Sequence, residues 1–371
     1  MENTKVNKNT SRTEAKINKR KNQARGTVTH KAGKVLIIGD THFSEVFVGS
    51  HKNYLAENIW LMKDILKKVG TDTTGLIFLG DVFGVREQRI KSLVYRSNLL
   101  TFFKRLKMQL ERNNAKMGYG RDNALLSSVK GNHDHSGVDN ITEFEFFIEQ
   151  GMFDNPRYVD LENQEGLKTR LHFVNYGDEK KTLEIAEKEG VSNVILGHGE
   201  YVIKDKTNWF QYGANAVNIA DMENFWGIDL IISGHIHTPS QQFDSTVMAN
   251  NEVIKLFYPG SPSRVSERVE DVYYVEMMVN SIGDVEVEVK DFGLPPVAKV
   301  FLDKDELVGD LGVGVETSDG FNNRNRKLKE ILDEIISSRI SQGNLLEQVD
   351  KIPSVSEVAR NRAKQYLQMV D

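Results

Sequence analysis

The sequence predicts an α/β fold, on three observations. Short apolar runs of strand length, several of them closed by glycine, recur from residue 34 to about 260. Amphipathic helical stretches separate many of them. The residue after the closing glycine is repeatedly Asp, Asn or His. Alternating strands and helices form a sheet with helices packed on its faces.

The first strand is "KVLIIG" (Lys34–Gly39), a β-branched run without polar alternation, as expected of a strand buried on both faces. Leu55, Ile59, Met62, Ile65, Leu66 and Val69 then share one helical face, and Gly70 stops the helix. "GLIFLG" (Gly75–Gly80) is the second strand, and a long helical pattern spans about Gln88 to Asn114. A strand at "ALLSSVKG" and a helix at Ile141–Glu149 follow. "TRLHFVNYG", Asn193–Gly197 and Ile228–Gly234 are further strands, with a helix around Thr182–Lys188 between the first two.

After Gly260 two β-rich runs flank "NSIGD", a hairpin. Pro295 and Pro296 open a boundary near 295–303. From about Asn322 the pattern is helical, with Leu328, Ile331, Leu332, Ile335, Ile336 and Ile340 on one face and a second helix after Pro353. The expected parts are a basic, disordered arm (1–33), a main domain (34–295) and an appendage ending in helices (296–371).

Composition excludes several classes. With 39% hydrophobic and 27% charged residues, the chain has enough apolar material for a large core. No apolar stretch approaches the ~18–20 residues of a membrane span, and the first residues hold no apolar block of a secretory signal. There is no cysteine, so disulfides, thiol nucleophiles and thiolate metal sites are ruled out. A cytoplasmic protein without membrane contact is expected. The net charge of −5 is unevenly spread: residues 1–34 carry ten Lys/Arg against Glu2 and Glu14. Such a leader is either a solubilising tail or a contact to nucleic-acid phosphates.

The chemistry-bearing residues follow the glycines. "GDTH" supplies Asp40 and His42, "GDVF" Asp81, and "GNHDH" Asn132, His133 and Asp134. "GHG" supplies His198, and "GHIH" supplies His235 and His237, which at spacing i, i+2 point to one side of an extended segment. Open α/β sheets gather ligands at the carboxyl ends of their strands. Carboxylates, imidazoles and an amide without sulfur suit Mn, Fe or Zn. The set is too large for one open ion and sufficient for two that share a carboxylate. Any one motif alone is commonplace, but all of them in this order are not.

"GDTH … GDVF … GNHD … GHG … GHIH" resembles the calcineurin-like metallophosphoesterase superfamily over about residues 34–265. The resemblance implies a four-layer α/β/β/α sandwich and a dinuclear centre. It assigns Asp40, His42 and His237 to the first metal, Asn132, His198 and His235 to the second, and Asp81 to both. Manganese is the expected metal, with iron, zinc or magnesium as alternatives, and a hydroxide between the ions is the expected nucleophile for in-line attack. The resemblance assigns His133 to the phosphate or the leaving oxygen, and Asp134 is expected to orient its ring. His30, His51, His135 and His172 are expected to be surface or structural.

"YPGSPSR" (Tyr258–Arg264) and a C-terminal extension further resemble SbcD-type DNA repair nucleases. That implies a DNA exonuclease, an SMC-like ATPase subunit bound through the C-terminal helices, and a second copy of the chain as a further partner. Expected DNA contacts are Arg86, Arg89, Lys104 and Arg105 in a basic helix, Trp209 in "NWFQYG", and Arg264. Gly84 in "GDVFGVR" departs from that pattern, which usually places a histidine or acidic residue there. The alternatives are a phosphatase or cyclic phosphodiesterase for a small substrate, or a non-catalytic binding module on the same fold.

Overall fold

A computed structural model of the chain describes residues 29–44, 54–84, 90, 92–135, 142–186, 191–203, 216–263, 272–280 and 284–293. In chain order the elements are β1 (Thr29–Lys31), β2 (Lys34–Ile38), α1 (Tyr54–Lys68), β3 (Thr73–Phe78), α2 (Leu93–Lys116), β4 (Leu125–Ser128) and α3 (Glu143–Glu149). Next come β5 (Tyr158–Glu162), β6 (Lys168–Val174), β7 (Ser192–His198), β8 (Tyr201–Val202), β9 (Val217–Asn218) and β10 (Leu230–Gly234). The last four are β11 (Asp244–Val247), β12 (Val253–Phe257), β13 (Tyr273–Val279) and β14 (Val285–Asp291).

The strands form two large sheets, ordered β14-β13-β2-β3-β4 and β1-β5-β6-β7-β10-β12-β11, and β8 pairs with β9 apart from them. The strands that carry the motifs are parallel within each sheet: β2, β3 and β4 in one, β7 and β10 in the other. Strand β2 shows why the sheets stack. Val35 and Ile37 join Val194, Leu196, Leu230 and Ile232 in the core between the sheets. Leu36 and Ile38 point the other way, into a core shared with the helices. Both faces are buried, so the run is apolar throughout. A third core covers the far face of the larger sheet, where Ile195, Ile231 and Leu256 meet Tyr201, Phe225 and Tyr258.

Helix α2 buries Tyr95, Leu99, Phe102, Phe103, Leu106 and Leu110, a 3–4 spacing, and Ser92 caps it by accepting the Tyr95 N–H at 3.2 Å. Phe103 lies among Phe78, Phe83, Phe147 and Phe153. The other end of α2 is tied to the start of β3: Asn113 Nδ2 donates to Gly70 O and Thr73 O, and Asn114 Nδ2 to Thr74 O. The helix therefore runs antiparallel to β3, away from the carboxyl end of that strand.

The fold class is α/β, and several boundaries differ from the sequence reading. Strand β1 lies inside the stretch assigned to the arm. It has no apolar run and is held by parallel pairing with β5. The helix expected around Thr182–Lys188 is absent at 182–186. Backbone groups there bond to side chains instead: Ala186 N–H to Asn193 Oδ1, and Glu184 O to Arg170 Nη1. The outer layer on the larger sheet is accordingly built, among the described residues, from short 3₁₀ turns at Ile219–Asp221 and Glu223–Phe225. Strand β5 was not expected; its Asp160 is paired bidentately by Arg170 of β6, 2.7 and 3.1 Å. No helix among the described residues is long and apolar enough to cross a membrane. The C-terminal helices lie outside the described residues.

Candidate metal centre

The carboxyl ends of β2, β3 and β4 meet those of β7 and β10, and the motif residues converge there. Three of them have strained backbones: His42 (φ 43°), Asp81 (φ 43°) and His235 (φ 76°). Positive φ costs a non-glycine residue on the order of 1–3 kcal/mol and persists only where its surroundings enforce it. Here His42 N–H donates to Asp81 O at 2.9 Å, and His235 N–H donates to the Asp40 carboxylate at 2.8 and 3.1 Å. The left-handed conformation thus falls on the ligands themselves, at Asp81 together with the preceding Gly80 (φ 96°). The glycine's task at Gly234 is space, because a Cβ there would overlap Asp40 Oδ1 and Leu79 O. Gly234→Ala should destabilise the fold by about 1–3 kcal/mol and weaken metal uptake. Urea melts and a manganese titration of the variant check both effects.

The donor atoms form two groups, each within 4.8 Å: Asp40, His42, Asp81 and His237 in one, Asp81, His198 and His235 in the other. Asn132 completes the second, its Oδ1 lying 2.9 Å from His235 Nδ1 and 3.0 Å from His198 Nε2. In the first group His42 Nε2 and His237 Nε2 face each other at 3.0 Å. His235 and His237, two residues apart, therefore serve different groups, and Asp81 belongs to both. These residues fit two divalent cations. Asp40 and Asp81 are 0% and 1% exposed, and their only ion-pair partners among the described residues are histidines. Buried carboxylates without Lys or Arg partners call for a cation.

The electrostatics agree. Burial pushes Asp40 up to about 8 and drives His42 down to about 3 and His237 to about 4. His235 is also lowered, by burial and then by His198. For His198 burial works against protonation, but the charges of Asp81 and Asp40 outweigh it and raise it to about 10. Burial pushes Asp81 upward, yet His198, His42 and His133 bring it below the usual carboxylate range. One imidazolium is thus balancing a buried acidic set, a role suited to a divalent cation.

His133 lies beside the shared carboxylate. Its backbone N–H donates to Asp81 Oδ1 at 2.8 Å, and its ring Nε2 is 3.9 Å from Asp81 Oδ2. Asp134, expected to orient that ring, instead takes backbone donors: Gly131 at 3.0 Å, Phe83 at 3.3 Å and Val82 at 3.4 Å. Those amides end two strands and need an acceptor, so Asp134 ties the Asp81 loop to the Asn132 loop. The "YPGSPSR" segment also supports the site. Ser261 Oγ donates to Asp40 O at 2.7 Å, and Ser263 Oγ to Tyr54 Oη at 3.2 Å.

Two neighbours escaped the sequence reading. Glu200 Oε1 lies 3.2 Å from His235 Nε2, and the Tyr176 ring packs against that of His235 at 5.4 Å. The only sequence signal for Glu200 is its position two residues after His198.

Of the expected DNA contacts, two lie among the described residues. Lys104 and Arg105 are exposed at the middle of α2. Arg86, Arg89, Trp209 and Arg264 lie outside the described residues. Arg96, in the same helix, pairs with Glu143 and stacks on Phe146. Of the other histidines, His172 is buried against Asn193 and His30 bonds to Asn123 O; His51 lies outside the described residues.

This fold and this donor set are those of a metal-dependent phosphoester hydrolase. A family model for calcineurin-like phosphoesterases matches residues 33–239, and the chain belongs to that family. Among solved structures, a conserved uncharacterized protein from Streptococcus pneumoniae TIGR4, described as a predicted phosphoesterase, is similar at 12% identity and a TM-score of 0.28. The match covers 71% of this chain and 92% of that chain. No curated protein matches.

Proposed function

We propose that the protein is a metal-dependent phosphodiesterase acting on DNA, an SbcD-like exonuclease. The observation that carries the hydrolytic reading is the position of Asp81, one buried carboxylate common to two donor groups. Manganese is the preferred cation for this mixed nitrogen and oxygen set, ahead of iron, zinc or magnesium. Bound divalent cations supply Lewis acidity toward phosphoryl oxygens and acidify water toward neutral pH. The chain's own residues do the rest. Asp40 and Asp81 would offer carboxylate oxygens to the cations in a buried crevice, and His133, whose side chain is about one-third exposed, supplies a proton to the departing oxygen.

The DNA part draws support from the basic leader and from the likeness of residues 258–264 and the C-terminal extension to SbcD-type nucleases. An SMC-like ATPase subunit on that extension and a second copy of the chain are the partners that go with it. A small phosphodiester is the second reading. It is favoured by the pairing of Arg96 with Glu143, which removes one cation from the basic helix.

The test is digestion of end-labelled single- and double-stranded DNA with and without Mn²⁺, beside bis-p-nitrophenyl phosphate and its monoester. Manganese-dependent cleavage of DNA and of the diester is expected. Diester hydrolysis without DNA cleavage favours the small substrate, monoester hydrolysis alone a phosphatase. No hydrolysis at all leaves a binding module.

A further inference from the structure

The two nitrogens of His235 face different partners. Nδ1 is directed at Asn132 Oδ1, 2.9 Å away, and at His198 Nε2, 3.3 Å away, where the second group of donors converges. Nε2 faces outward to Glu200 Oε1 at 3.2 Å. An imidazole whose outer nitrogen meets a carboxylate keeps its proton there and presents a lone pair on the inner one. We propose that Glu200 is a positioning residue for the second cation, fixing His235 as an Nδ1 ligand; this rests on the dinuclear reading of the site.

Three further observations carry the assignment. His198, the other imidazole of this group, is anchored through Nδ1 to the neutral Leu79 carbonyl at 2.7 Å, with the Asp40 carboxylate farther off at 3.6 Å, so Glu200 at 3.2 Å from His235 is the closer carboxylate anchor of the pair. A carboxylate in that position makes the imidazole a stronger donor than a carbonyl does. The His235 backbone has φ 76°, so its side chain is aimed from a strained position and the ring needs an outer support. Glu200 is itself held in place: its carbonyl accepts the Val217 N–H at 2.7 Å where β8 and β9 pair, and its side chain is mostly buried. Its carboxylate stands on the outer nitrogen of the ring, away from the donors of the second group, so it acts through His235.

The experiment strips the full-length protein of metal and titrates it with Mn²⁺ by calorimetry and electron paramagnetic resonance. The wild type should take up two equivalents and show a spin-coupled signal. In Glu200→Ala the second equivalent should bind about 10–100-fold more weakly with the first unchanged, leaving an uncoupled six-line spectrum between one and two equivalents. Glu200→Gln keeps an oxygen that can accept from Nε2 but loses the charge, and should fall between. If Glu200→Ala does not fold, Glu200→Gln alone decides, by a weakened second equivalent against an unchanged one. Two equivalents bound by the variants as tightly as by the wild type overturn the proposal, including where the metal-stripped variant melts lower. Fewer than two equivalents in the wild type overturn the dinuclear reading itself and the proposal with it.

Discussion

Asp81→Asn should abolish hydrolysis and strip the protein of its metal pair. The Asp81 carboxylate is 1% exposed and sits within reach of His42, His133 and His198, and it belongs to both donor groups. Asparagine has the same shape and can still accept the His133 N–H, so the fold should survive. What it lacks is the charge and one of two equivalent oxygens. Both groups are weakened by one substitution, whereas any imidazole variant weakens one. The several kcal/mol that Lewis acids supply to a phosphoryl transition state correspond to a loss of at least about 10³-fold in kcat. The check combines elemental analysis with the rate on bis-p-nitrophenyl phosphate and a thermal melt. Two ions at full occupancy in the variant would refute the assignment of Asp81 to both groups.

The donor residues were legible in sequence because each follows a glycine at the end of an apolar run, so local pattern and sheet topology specify the same place. Other features depend on contacts across long separations. Glu200 and His235 are 35 positions apart, and nothing local marks their bond. Asp134 looks like a partner for the neighbouring imidazole. Its carboxylate instead turns to Val82, Phe83 and Gly131, because strand ends leave amides that need an acceptor. The absence of the expected helix at residues 182–186 has the same origin: Asn193 and Arg170, on neighbouring strands, bind backbone groups that a helix would have paired internally. Counting charge along the sequence also misleads. The Lys/Arg residues between 86 and 116 read as a basic helix. Yet Arg96 is occupied by Glu143.

Replacing His133 by alanine separates chemistry from metal binding. The residue holds Asp81 through its backbone N–H, 2.8 Å from Oδ1, and truncating the side chain leaves that donor in place. Both cations should therefore remain, and the variant should titrate with Mn²⁺ as the wild type does. The ring is another matter. It stands edge-on to His42 at 5.2 Å with Nε2 3.9 Å from Asp81 Oδ2, at the border between donors and solvent. Without it kcat on DNA should fall about 10²–10⁴-fold, the usual weight of a positioned acid. The leaving group tells whether a proton is what the ring supplies. A sugar alkoxide is strongly basic and needs protonation, while p-nitrophenolate departs without it. The loss on bis-p-nitrophenyl phosphate should therefore be much smaller than on DNA. Equal losses on the two substrates would mean that His133 steadies the phosphoryl group electrostatically and donates no proton. An altered Mn²⁺ titration would mean that its side chain supports the metal centre after all.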